Sequence, residues 1–229
     1  MGMPRICTLR HLMITAMAVL FPVCAFAQAN KNAEGGGAKY EFGFGIMGSF
    51  YDTKSFSGPG GSAKGGFENA LGGSVWLGQN MYRRIGGELR YDYAMNGMRL
   101  DGGNTKVTFG GQSHAFHYDM HYHFTDRGGK VRPYVLFGGG VKFYDGTGTE
   151  TAFQPLQTVA VLTKTQEIVP MVTYGGGVKF QLSSKVNLRL EMRNNMSPFP
   201  KKVIAPTRST GGQGWTNNLL PMFGVSLVF

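Results

Sequence analysis

His117, Asp119, His121 and His123 stand at alternate positions within seven residues, and imidazole with carboxylate is the donor set that binds zinc or copper. The spacing argues against chelation. On an extended chain, residues two apart lie roughly 6–7 Å from each other, too far for neighbours to share an ion easily. Hydrogen bonding inside the fold or at its rim is the reading the pattern favours. A second string, GFGIMG at residues 43–48, satisfies G-x-G-x-x-G, the spacing that cradles a dinucleotide pyrophosphate. That chemistry requires a helix N-terminus immediately afterwards. Ser49-Phe50-Tyr51-Asp52 and a Gly/Ser-rich segment follow instead, so the match is accidental. Serine, histidine and aspartate all occur, which raises hydrolase or acyltransferase chemistry on lipids. No nucleophile elbow accompanies them, and a triad is defined by spatial geometry rather than by composition. No residue is therefore assigned as catalytic, cofactor-binding or metal-ligating, and no cofactor is expected.

The elements that position these residues begin after a leader. Arg5 and Arg10 precede an apolar run from Leu12 to Val23, and Ala25-Phe26-Ala27 offers a small-x-small cleavage site before Gln28. Residues 1–27 read as a secretory signal peptide that is removed, residues 28–38 as a short segment, and residues 39–229 as the folded part. Cys24 follows Val23, where lipidation requires a small residue. Cys7 and Cys24 both fall in the leader, so the exported chain has no thiol for a disulfide or a thiolate metal site. Removing Arg5 and Arg10 takes the formal net charge from +10 to +8. Export argues against nucleic acid as the partner of that charge and leaves anionic lipid head groups.

Alternation dominates the rest. Tyr40, Phe42, Phe44, Ile46 and Phe50 share one face and Glu41, Gly43, Gly45 the other, a period of two that means strand. Further strands are predicted around Phe67, Leu71, Val75 and Leu77; from Ile85 to Met95; from about Lys106 to Phe124; from Val131 to Phe143; from Ile168 to Leu182; from Val186 to Arg193; and from Leu219 to Phe229. That makes eight. Short turns near 79–84, 125–130 and 183–185 alternate with long Gly- and Pro-containing loops near 52–66, 96–105, 145–167 and 194–214. Residues 157–165 (QTVAVLTKT) are expected to extend the sixth strand. Residues 133–143 (PYVLFGGGVKF) and 170–180 (PMVTYGGGVKF) echo one another at eight of eleven positions.

The polar face decides the class. It carries Glu88, Arg90, Asp92, Asp119, Lys142, Lys179, Arg189, Glu191 and Arg193, together with Gly43, Gly45, Gly138, Gly140, Gly175 and Gly177. On a solvated sheet such glycines would weaken strands without gain. Inside an eight-stranded barrel, whose interior is just wide enough for side chains, charges must pair and small residues must face large ones. The apolar face then looks outward at lipid, with Tyr40, Phe42, Tyr122, Phe124, Phe143 and Phe229 near strand ends as interfacial girdles. The expected fold is all-β: a closed antiparallel eight-stranded transmembrane barrel of up-and-down topology.

With its last strand alternating to a terminal Phe229 (LLPMFGVSLVF) and with Arg132-Pro133-Tyr134-Val135 after a short turn, the chain resembles the small eight-stranded outer-membrane barrels. These include the OmpA transmembrane domain, OmpX, OmpW and the opacity proteins. The resemblance implies a cell outer-membrane location and engagement of the outer-membrane insertion machinery through the last strand. It implies contact with outer-membrane lipids and lipopolysaccharide, and a monomer. The expected role is structural or surface-interacting, through long extracellular loops bearing Lys54, Lys64, Lys164, Lys201, Lys202 and Arg208. The alternative is a narrow porin-like channel for ions or small solutes, hydrophobic ones included. A lipid-modifying outer-membrane enzyme is the third class.

Overall fold

The computed structural model describes residues 39–229, so the expected signal peptide (1–27) and the short segment 28–38 lie outside the described residues. Fifteen strands follow in chain order. They are β1 (Tyr40–Tyr51), β2 (Lys54–Gly58), β3 (Gly61–Phe67), β4 (Ala70–Asn80), β5 (Ile85–Ala94), β6 (Met98–Gly102), β7 (Thr105–Phe109) and β8 (Gly111–His123). After these come β9 (Val131–Gly146), β10 (Ala160–Leu162), β11 (Gln166–Gln181), β12 (Val186–Pro198), β13 (Ile204–Pro206), β14 (Thr210–Gly211) and β15 (Trp215–Val228). Eight of them close a barrel in the order β1-β15-β12-β11-β9-β8-β5-β4, every pair antiparallel. The seam holds to the final residue, since Tyr40 and Phe229 exchange backbone hydrogen bonds of 2.9 and 3.0 Å.

The register sets the shape. One hydrogen-bonded row runs from Lys142 through Ala115, Asp92, Ser74, Gly45, Gly224, Arg189 and Lys179 and returns to β9 at Arg132. The row re-enters its own strand ten positions lower (142 against 132), so the strands tilt steeply, in the range of about 35–45° usual for barrels. The alternation falls as the residue pattern requires. Ile46, Leu71 and Phe137 are 70, 75 and 64 % exposed on the outside, while Arg90, Arg189, Arg193 and Glu88 are buried inside.

The sequence echo is explained here. β9 and β11 are direct neighbours, with Phe137 opposite Tyr174, Pro133 opposite Val178 and Val141 opposite Pro170. Each copy pairs with the other about a local twofold centred on the equivalent positions Phe137 and Tyr174.

Four details depart from the sequence expectation. The fourth wall strand starts at Gly111 rather than near Lys106, because residues 105–109 turn back as β7 to pair with β6. Gly111 lets the chain change direction there, since a side chain would press on the Asn96 carbonyl. Phe67 ends β3 and not a wall strand. Residues 157–165 do not extend β11; Ala160–Leu162 form the separate β10, paired with β13. The reason is burial, for Ala160 and Leu162 are wholly enclosed, which the outer face of a prolonged β11 could not provide.

The largest departure is that the long loops are not irregular. They form a five-stranded sheet, β14-β2-β3-β6-β7, and the β10-β13 ribbon. All four loops bury apolar side chains together: Phe56 and Phe67 from the first, Met98 and Leu100 from the second, Val159 and Leu162 from the third, Phe199 and Ile204 from the fourth. The cluster reaches down to Tyr144 and Tyr51 at the strand ends, with Phe67 stacked on Tyr144 at 4.8 Å. A second hydrophobic core therefore caps one mouth of the barrel.

Candidate functional site: the charged lumen and its cap

Glu41, Glu88, Arg90, Asp92, His117, Asp119, Lys179, Arg189, Glu191 and Arg193 are carried inward by five different strands and meet in one network. Glu88 faces Arg90 Nε at 2.9 Å and Arg189 Nη1 at 2.7 Å; Glu191 faces Arg90 at 2.9 Å and Arg193 at 2.8 Å. Asp119 takes Arg193 at 2.8 Å, and Glu41 takes Lys179 at 2.6 Å and Arg189 at 3.3 Å. His117 lies between Asp119, 2.9 Å from Nδ1, and Asp92, 3.1 Å from Nε2. Each ring nitrogen faces a carboxylate oxygen, an arrangement in which each can donate. Buried charges of this kind persist only when each has partners, because an isolated one would forfeit its hydration.

Trp76 sits among these groups, donating through Nε1 to Glu41 at 3.3 Å. The guanidinium carbons of Arg189 and Arg90 lie 4.5 and 4.9 Å from its ring, within cation–π range. Gly43 and Gly224 explain how the ring fits: a methyl group at either would overlap it. The glycines of the polar face are thus the space that the large side chains fill. Tyr134 adds a hydroxyl donated to Glu191 and stacks on His121 at 5.0 Å.

The sequence reading placed nine charges inside, and all nine are buried there. It did not single out Glu41, Trp76 or Tyr134. The signal was available, since Glu41 alternates with Gly43 and Gly45, and Trp76 is out of phase with Val75 and Leu77. The hydrogen bonding expected of the histidine set is found at His117, which joins the two aspartates, whereas His121 and His123 pack on Tyr134, with His121 Nε2 and both ring nitrogens of His123 buried without a partner. Glu88, Asp119 and His121 do present ligand atoms within 4.8 Å of one another. Arg189 and Arg193 already hold those carboxylates, so a cation there would compete with guanidinium groups. Ser74 donates to Asp92 at 2.6 Å, and no serine among the described residues hydrogen-bonds a histidine.

Outside the wall, Asp52 anchors the first loop to the last strand. Burial would raise its carboxyl, but hydrogen bonds from Thr216, Lys54 and the Asn217 amide prevail and hold it below the usual carboxylate range. Of the loop cations, Lys54 is committed to Asp52 at 2.9 Å. Lys64, Lys164, Lys201, Lys202 and Arg208 are exposed, and Lys164 and Lys202 are brought together where the Thr163 and Thr165 hydroxyls donate to the Lys202 carbonyl.

A closed barrel with an ionic interior and an apolar exterior carries the signature of the lipid-facing class. The family model described as outer membrane protein beta-barrel domain matches residues 13–224. The chain belongs to that family. It is an outer-membrane β-barrel protein, and by the layout of that class the short turns face the periplasm and the cap faces outward. Among solved structures it is similar to OprG from Pseudomonas aeruginosa, at 9% identity and TM-score 0.57, covering 84% of this chain and 96% of that one. A major outer membrane protein from Thermus thermophilus aligns at 16% identity and TM-score 0.50, over 83% and 99%. Neisserial surface protein A aligns at 14% and 0.48, over 82% and 97%. At these identities the likeness is one of fold. Curated protein sequences give no match.

Proposed function

We propose that the barrel is a closed, non-catalytic scaffold and that the extracellular cap is the working surface, meeting anionic saccharide or lipopolysaccharide. The carrying observation is the lumen, filled at its periplasmic half by Trp76 and the arginine–carboxylate network and roofed by an apolar core. A conducting path would need water where these side chains stand. The exposed Lys164, Lys201, Lys202 and Arg208 supply the cap's charge. Function carried by loops on a rigid scaffold is the common arrangement. The protein acts as a monomer in this reading, and the outward Leu219, Phe223, Leu227 and Phe229 at the C-terminal end form the element that the insertion machinery reads during assembly.

Planar-bilayer recording of refolded protein tests the scaffold. Silence is expected, and steady, reproducible conductance steps would restore the channel reading. Binding to lipopolysaccharide micelles tests the surface. Replacing Lys164, Lys201 and Lys202 together by alanine should weaken binding about tenfold and flatten its salt dependence. An unchanged affinity would move the contact elsewhere.

A further inference from the structure

The lumen is not uniform. Above the ionic network, beneath the cap, lies a layer of neutral polar groups: Ser49 and Ser113 donate to Asn96, and Ser49 also lies 3.0 Å from Asn218. Into this layer projects Lys142, 1 % exposed. Its Nζ lies 4.7 Å from the Tyr51 ring centre and 5.4 Å from that of Tyr144, and it makes neither a hydrogen bond nor an ion pair among the described residues.

Charge counting says the same independently. The buried carboxylates are Glu41, Glu88, Asp92, Asp119 and Glu191. Arg90, Arg189, Arg193 and Lys179, with His117 set between two of the carboxylates, match them one for one. Among the fully buried cations of the described residues, Lys142 is the one left over. Other unsatisfied polar groups lie on the path around it. In the strand register Tyr51 stands opposite Asn218, Asn218 opposite Asn195, and Asn195 opposite Thr173. Both amide atoms of Asn195 and the Thr173 hydroxyl are buried without a partner. Such groups ordinarily find a partner, and a buried cation without a carboxylate asks for an acceptor that carries charge.

We infer that the upper lumen is a binding site for one small monovalent anion, a halide or short carboxylate, held by Lys142 Nζ. One negative charge would neutralise the Lys142 ammonium, and the neighbouring side chains of the layer (Ser49, Ser113, Ala94) are small. The aromatic rings of Tyr51, Phe67 and Tyr144 close the site from outside.

Thermal unfolding of the full, detergent-refolded protein in sodium gluconate, with chloride or acetate replacing gluconate at constant ionic strength, tests this. The expected result is a Tm that rises by about 3 °C for each tenfold of chloride or acetate beyond its Kd. Lys142→Met should abolish the rise and Lys142→Arg should keep it. A Tm indifferent to the anion, or an equal rise in Lys142→Met, would overturn the site and leave water as the occupant. Should Lys142→Met fail to refold, the 15N signal of the Lys142 ammonium in the wild-type protein serves instead: a saturable shift with chloride supports the site, and no shift removes it.

Discussion

Lys179 and Lys142 occupy equivalent places in the repeated string GGGVKF, on neighbouring strands. Because those strands run antiparallel and tilt, one lysine reaches the periplasmic half of the lumen and the other the half beneath the cap. Lys179 meets Glu41 at 2.6 Å, inside a network where every carboxylate has a cation. Lys142 meets two aromatic rings and no carboxylate. Identical local sequence thus produces a saturated ion pair in one place and an uncompensated charge in the other. Burial alone does not tell what a lysine does; the opposing strands decide it.

That contrast can be pressed experimentally. The heaviest effect is expected at Arg189, which touches Glu41, Glu88 and Glu191. Arg189→Leu strands these carboxylates and should cost about 3–5 kcal/mol, seen as failed refolding or a collapse of the urea midpoint. Next stands the lysine pair itself. In gluconate buffer Lys179→Met should destabilise by about 3 kcal/mol, whereas Lys142→Met should stay within about 1 kcal/mol, since it removes a buried charge that had no partner. Equal losses would erase the distinction between the two halves.

A cap mutation separates regions in another way. Leu100→Ala opens a void in the loop core and should cost about 2–4 kcal/mol of cap stability. Limited proteolysis would then cut the loops while the wall strands persist; simultaneous loss of both would show that cap and barrel fold as one unit. Smaller again is Gly43→Val, which forces Trp76 from its place and should cost about 1–3 kcal/mol, against near neutrality for Gly73→Ala, where nothing stands closer than 3.8 Å. The smallest effect is a pH response. Asp52 has its carboxyl lowered on folding, so its contribution is present above the ordinary carboxylate range and is lost as pH falls through the lowered value. Asp52→Asn should remove about 1 kcal/mol at neutral pH and flatten the acid limb of a stability profile, loosening the first loop before the wall.

The barrel itself was legible in the residues because a wall strand is a one-dimensional code. Period two assigns each side chain to lipid or lumen, and the mixed charges with glycine at Gly43, Gly138 and Gly175 show which face is enclosed. The nine interior charges and the accidental nature of GFGIMG followed from phase alone. The cap was not legible. Its strands are two to seven residues long and broken by glycine and proline, too short for periodicity to distinguish Phe56, Leu100 or Ile204 from ordinary loop residues. Nor could residues 157–165 be placed, because Ala160 and Leu162 take their burial from β13 and from loops distant in the chain.

Local alternation, then, was enough to say which atoms face inward and that the charged ones must find partners. Which partner each one finds depends on strand tilt and on register closing around the whole ring, and these bring together residues as far apart in sequence as Arg189 and Glu41. Lys142 differs from Lys179 for that reason alone.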